Sequence, residues 1–233
     1  MEEVLLMDLG VMEYDSCRHL QQSLFDELLA AKAEPTLGMP PQRLLLVEHP
    51  PVYTLGKSGK EANLLVNTAH LESLGATFHQ TDRGGDITFH GPGQIVGYPI
   101  LDLEREGIGL RAYIEAVEQT VIDTLADYGI VAGRSQGAAG VWLAPHRGRP
   151  LRKICAIGVR SSRYVTMHGF ALNVNTNLDW FELINPCGFT DRGVTSIAKE
   201  LGREVDMAEV KSRLVAHFAE NINVKIKILD YAN

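Results

Sequence analysis

Apolar positions along the chain follow two periods, and the switches between them mark out the elements. Over Val11 to Lys32, VMEYDSCRHLQQSLFDELLAAK, they recur at helical spacing with Leu20, Leu24 and Leu28 on one stripe, which predicts a long amphipathic helix. Gly109 to Gly129 and MAEVKSRLVAHFAENI (207–222) predict two more, the first stopped by a glycine. Short apolar or alternating runs predict strands at RLLLVEH (43–49), ATFHQTD (76–82), DITFHG (86–91), IVGYPILDL (95–103), AGVWLAP (139–145), KICAIGVR (153–160), TMHGFALNVN (166–175) and VKIKIL (224–229). AEPTLGMPPQ, with three prolines and a glycine, is a loop, and Pro50 and Pro51 keep VYTLG from continuing the strand before it. WFELINP (180–186) reads as a short helical or turn segment.

Strands and helices interleave without strict βαβ repetition. The expected fold is therefore α/β (α+β), a mixed β-sheet flanked by helices. One domain over residues 1–233 is expected, with a small C-terminal subdomain from about residue 200 as the only division the pattern admits.

Composition narrows the class. Hydrophobic residues at 45% and charged residues at 22% are ordinary globular values. No apolar run is long enough to span a membrane, and a start of MEEVLL lacks the basic region of a signal peptide, so a cytoplasmic protein is expected. Three widely spaced cysteines, Cys17, Cys155 and Cys187, fit reduced thiols better than a disulfide framework. With no CxxC or HxxxH pair, no metal site is expected.

A net charge of −7 argues against nucleic acid as a partner. Its distribution is uneven. Between Asp127 and Asp179 there is no acidic residue, while Arg134, Arg147, Arg149, Arg152, Lys153, Arg160 and Arg163 all fall there. Such a stretch suits an acidic ligand or partner, and it equally suits a solvated basic face.

Four stretches carry candidate chemistry. LINPCGFTDRGVTS holds Cys187 between Pro186, whose φ is fixed, and Gly188, so that a turn would present the sulfur stiffly. RGGDITFHGPGQ (83–94) places Asp86, Thr88 and His90 on one face of an alternating strand, behind glycines that let backbone approach a ligand or simply turn. HGFALNVN (168–175) sets Gly169 and Ala171 on one face, leaving room for a packed neighbour or a bound chain. Lys153 opens KICAIGVR, and in a regular strand Cys155 would share its face as a rival thiol. The GKS of PVYTLGKS lacks the upstream glycine and following helix of a phosphate-binding loop, so that function is excluded.

Taken together, LLLVEHPPVYTLG, RGGDITFHGPGQIVGYPI, KICAIGVR and HGFALNVNTNLDWFELINPCG resemble, in order and spacing, the lipoyl(octanoyl) transferases. The resemblance covers nearly the whole chain. It implies the fold of biotin and lipoate ligase catalytic domains, and an acyltransferase that moves an octanoyl group from octanoyl-acyl carrier protein to a lysine of lipoyl domains. The acceptors so implied are the lipoyl domains of 2-oxoacid dehydrogenases and the glycine cleavage H protein, with no cofactor. By the same resemblance Cys187 is the acyl-thioester nucleophile and Lys153 its partner. Arg83, Gly84, Gly85, Asp86, Ile87, Thr88, Phe89 and His90 match a substrate-binding segment, as do Ala156, Ile157 and Gly158, and Gly169, Phe170 and Ala171. The rivals are an ATP-dependent ligase on the same fold, a non-catalytic binder of acyl carriers or lipoyl domains, and a cysteine hydrolase.

Overall fold

The computed structural model describes residues 1–34, 36, 38–146, 148–185 and 192–229. In chain order the elements are β1 (Glu3–Val11), α1 (Tyr14–Ala33), β2 (Gln42–Glu48), β3 (Val52–Leu55), α2 (Thr68–Ser73), β4 (Thr77–Gln80), β5 (Ile87–His90), β6 (Gln94–Ile100), α3 (Leu110–Ala126), β7 (Gly133–Ser135) and β8 (Ala138–Leu143). There follow β9 (Arg152–Ser162), β10 (Val165–Asn173), a 3₁₀ segment (Leu178–Leu183), β11 (Gly193–Val194), α4 (Ile197–Leu201), α5 (Met207–Ile222) and β12 (Lys225–Ile228).

Among the described residues the strands form two sheets. The larger is ordered β12–β1–β2–β6–β10–β9–β8–β7, with β11 beside β9, and the smaller is β4–β3–β5. Parallel pairs (β12 with β1, β1 with β2) sit alongside antiparallel ones (β2 with β6, β6 with β10, β10 with β9), so the sheet is mixed, as the interleaved pattern implies.

Period-two alternation sends the two faces of the large sheet into different cores. Leu44 and Leu46 of β2 pack with Val117, Val121 and Leu125 of α3 and Leu214 and Phe218 of α5. Leu45 and Val47 face the other way, toward Cys17 of α1. Farther along α1, Phe25 and Leu28 pack on Ile100, Val165 and Met167. The prolines after β2 turn the chain out of the large sheet into β3, and Tyr53, Leu55, Ile87 and Phe89 build a separate apolar cluster under the small one. Val210, Leu214, Phe218 and Ile222 of the last helix, with Val224 two residues beyond it, join the core under the large sheet.

The predicted helices stand within a few residues of their expected bounds. Strand β1 is not among the expected strands; it ends at Val11, where the expected helix begins, and α1 starts three residues later at Tyr14.

Candidate active site

The α1 face of the large sheet and the small sheet enclose a cavity of about 710 Å³. Its floor is set by strand register: Ala156 pairs with Ala171 and Gly158 with Gly169 across β9 and β10, and Val96 lies beside Ala171 on β6. The opposite wall carries Asp86, Ile87, Thr88 and His90. Lys153, Trp142 and Arg192 line one end, and Tyr14 and Tyr98 also line the cavity.

Lys153 reaches this cavity because β9 is irregular. The pairing with β8 runs Val141–Cys155 and then Trp142–Lys153, so the register slips by one residue at Ile154. A bulge of this kind breaks the alternation. Ile154 and Cys155 therefore both face the α3 core, while Lys153 and Ala156 face the cavity. The expectation that Cys155 shares the face of Lys153 is corrected accordingly. Opposite the bulge, Gly140 adopts φ +115, and a side chain there would run into the Cys155 carbonyl. Burial pushes the Cys155 thiol up to about 12 and the Cys17 thiol likewise to about 12, so neither ionises at neutral pH.

The Lys153 ammonium stands 4.6 Å from the centre of the Trp142 ring, and the Arg192 guanidinium 5.3 Å from it. Val194 pairs in register with Lys153, and Thr195 N–H donates to the Lys153 carbonyl at 2.9 Å. Cys187 lies outside the described residues. The described residues that flank it on either side, Asn185 and Arg192, both line the cavity. Asn185 N–H donates to Asn63 O at 2.8 Å, and the Asn63 amide donates to Asp86 at 2.5 Å, which ties that approach to the RGGDITFH segment.

A directional chain of hydrogen bonds runs beneath the site. Arg83 Nε and Nη2 donate to the Thr54 hydroxyl at 3.2 and 2.9 Å. The Gln94 amide nitrogen donates to Phe89 O and Asn173 Oδ1, so its oxygen accepts from His90 Nδ1 at 2.9 Å. His90 Nε2 then accepts from the Thr54 hydroxyl at 3.3 Å. Asn173 Nδ2 donates to Thr195 O at 3.0 Å, which closes the path from Arg83 to the strand beside Lys153. Burial, with His49 and Arg83 nearby, holds His90 down at about 3, so it is neutral. His49 is also neutral, pulled down to about 4 by burial; it donates from Nδ1 to Met12 O and accepts from the Tyr98 hydroxyl at 2.8 Å.

His168 is 1% exposed and takes φ +60, an unusual backbone for a non-glycine residue. Its Nε2 donates to Asp82 at 2.8 Å, and Arg160 meets the other oxygen at 2.5 Å. Burial lowers the His168 pKa against the pull of Asp82, whereas the hydrogen bond from His168 and the Arg160 charge hold Asp82 down at about 2.

The sequence-expected residues divide accordingly. Arg83, Gly85, Asp86, Ile87, Thr88, His90, Lys153, Ala156, Ile157, Gly158, Gly169, Phe170 and Ala171 line the cavity. Phe89 points to the other side of β5, stacked on Trp180 at 5.3 Å between ring centres, and Gly84 donates its N–H to Val159 O instead. Gly169 serves strand packing as much as ligand space: a side-chain carbon there would collide with the Gly97 carbonyl and lie 2.8 Å from Pro99. Sequence reasoning missed Tyr14, Tyr98, Trp142 and His168, which come from four separate elements and share no local pattern.

The acid-free stretch is largely neutralised from outside. Glu118 takes Arg134, Glu200 takes Arg152 at 2.8 Å on both oxygens and Arg149 at 3.4 Å, and Asp82 takes Arg160. Arg152 is turned inward, while Arg149 keeps an exposed side chain; Arg147 lies outside the described residues. The GKS turn is likewise occupied, since Lys57 N–H and Ser58 N–H donate to Arg83 O and Gly85 O. Among the described residues, no group of three or more His, Cys, Asp or Glu side chains is placed to hold a metal, and no helix is long and apolar enough to cross a membrane.

The cavity thus lies between a large mixed sheet, whose β9 carries Lys153, and a small three-stranded sheet. The model of the lipoyl protein ligase A/B catalytic domain matches residues 14–219, and the chain belongs to that family. Its relatives there are octanoyltransferases, which are acyltransferases. One, from Porphyromonas gingivalis, is 57% identical over 214 residues; these are 92% of this chain, and the chain spans 43% of that relative. Another, from Bacteroides fragilis, is 53% identical over 212 residues, 91% of this chain and 95% of the relative. Among solved structures, a bipartite lipoate protein ligase from Thermoplasma acidophilum superposes with TM-score 0.71 at 14% identity, covering 100% of this chain and 89% of that one. Biotin protein ligase from Aquifex aeolicus gives TM-score 0.50 at 14% identity, covering 96% and 70%. These likenesses speak to the fold, and they agree with the biotin/lipoate ligase architecture expected from the sequence.

Proposed function

We propose that the protein transfers an octanoyl group from octanoyl-acyl carrier protein to a lysine of lipoyl domains, through a thioester on Cys187, in the cytoplasm. The observation that carries the reading is the placement of Lys153 by the β9 bulge at the end of a small-residue cavity that Asn185 and Arg192 also line. With Cys17 and Cys155 buried and protonated, Cys187 is the remaining thiol of the three for such a role.

In the first step the Cys187 thiolate attacks the thioester carbonyl, and the carrier sulfur leaves and takes up a proton. A thioester replaces a thioester, so the acyl group stays activated. In the second step the neutral amine of the acceptor lysine attacks the same carbonyl, loses a proton and expels the Cys187 thiolate, leaving an amide. An ammonium about 4 Å from the sulfur favours its ionised form by about 4 kcal/mol at an effective dielectric of about 20, before desolvation takes its share. That supports a thiolate at neutral pH in both the attacking and the leaving role. Amide formation from a thioester is downhill, so no nucleotide is consumed.

Intact-mass measurement after incubation with octanoyl-carrier protein tests this. One octanoyl adduct is expected on wild type and on Cys155→Ser, and none on Cys187→Ser. An adduct that survives Cys187→Ser, or a reaction that requires ATP, would overturn the proposal.

A further inference from the structure

We infer that the cavity measures the acyl chain and that the rings of Tyr14 and Tyr98 are its stop. The inference rests on the acyl-transfer reading above. Lys153 and Trp142 face each other at one end of the cavity. Next along the strands comes the row Ala156–Ala171–Val96, and after it the row Gly158–Gly169. Tyr98 stands beyond Gly97, the partner of Phe170, and so extends the second row on β6. A chain anchored beside Lys153 therefore runs over the methyl groups of Ala156 and Ala171 toward the second row, where Gly84 and Arg83 cover Gly158 and the aromatic rings stand on the β6 side. The five residue steps from Lys153 to Gly158 span at most about 16 Å, and an extended eight-carbon chain about 9 Å. The difference is about what a thioester and a lysine head group occupy.

A size gate works only if its walls cannot swing aside. Both rings are locked on His49, which is itself bonded to Met12 O at 2.7 Å. The Tyr98 hydroxyl donates to His49 at 2.8 Å, and the Tyr14 ring stands edge-on to His49 at 5.4 Å and parallel to His90 at 6.3 Å. Tyr14 and Tyr98 are each 3% exposed, so neither has an outer position within reach. A longer chain must displace this cluster, and a shorter one leaves apolar floor uncovered, losing about fourfold in binding per missing methylene.

The test is kcat/KM with carrier-protein donors of four to fourteen carbons, for wild type, Tyr14→Ala and Ala171→Val, with thermal melts as a check on folding. Wild type is expected to peak at eight carbons. Tyr14→Ala is expected to move the peak to ten or twelve and raise the twelve-to-eight ratio about tenfold or more, and Ala171→Val to move it below eight. If Tyr14→Ala does not fold, Tyr14→Leu is read the same way. A peak that stays at eight carbons in the tyrosine variants, or a uniform fall at every length, overturns the stop. Failure of wild type to be acylated by any donor removes instead the transfer reading on which it rests.

Discussion

Cys155 lies two residues from Lys153 on one strand, yet the two side chains face opposite sides of the sheet, the thiol into the α3 core and the ammonium into the cavity. The bulge at Ile154 is the cause, and it sorts the thiols of this protein. Iodoacetamide at pH 7.5 should therefore alkylate Cys187 alone in the folded protein, and all three cysteines in urea. Peptide mass mapping reads this directly. Modification of native Cys155 at a rate comparable to Cys187 would contradict the placement.

The buried histidines set a second expectation. His49 and His90 are held at about 4 and about 3, so both stay neutral in the fold while their unfolded counterparts protonate below about 6.5, and burial shifts His168 in the same direction. Protons bind the unfolded chain preferentially, so the stability these groups contribute is full above about 6.5 and declines as pH falls toward 4 and 3. The melting temperature should begin to drop near pH 6.5, with each such histidine steepening the slope by about 1.4 kcal/mol per pH unit. A melting temperature that is flat down to pH 4.5 would show these rings protonated in the fold.

Glu200 contributes a lower acid limb. The paired Arg152 guanidinium and the Thr195 hydroxyl hold its carboxyl at about 2, so its contribution is present above the ordinary carboxylate pKa and is lost as pH falls through that range toward 2. Glu200→Gln strands Arg152, which is 8% exposed, and should lower stability by about 3 kcal/mol at pH 7 in urea denaturation while flattening the slope below pH 4.5. Equal acid slopes in the two proteins would contradict it.

Glycine positions in the strands report how closely the backbones pass. Gly169→Ala forces a carbon onto the Gly97 carbonyl, backbone against backbone, and should cost about 3 kcal/mol or more. Gly133→Ala, in open space on an edge strand, should cost less than about 0.5 kcal/mol. Similar losses at both positions would mean that the β6–β10 approach is slacker than described.

Much of this architecture was legible in the sequence, because α1, α3 and α5 carry strong helical stripes and the interleaved strands imply a mixed sheet. Three things were not. Strand β1 has as its apolar mark only the short run Val4 to Met7 between Glu3 and Asp8. The bulge has no local mark on β9 itself; its signature is Gly140 on the neighbouring strand, which only folding brings alongside. The ion group of Asp82, Arg160 and His168 joins residues 86 positions apart, and the Tyr14–His49–Tyr98 cluster joins three elements, so neither appears as a motif. What the sequence did mark were the stretches where several site residues fall together, RGGDITFH, KICAIG and HGFA. Even there, Phe89 and Gly84 proved to serve the packing of the small sheet and its loop.

The claim that the lysine keeps the nucleophilic sulfur ionised is tested most directly by the pH dependence of Cys187 alkylation, in wild type and in Lys153→Ala. Wild type should show a thiolate titrating below about 7, and the variant should move toward the free-thiol value of about 8.5 and lose acyl-adduct formation. The same apparent pKa in both proteins would contradict it.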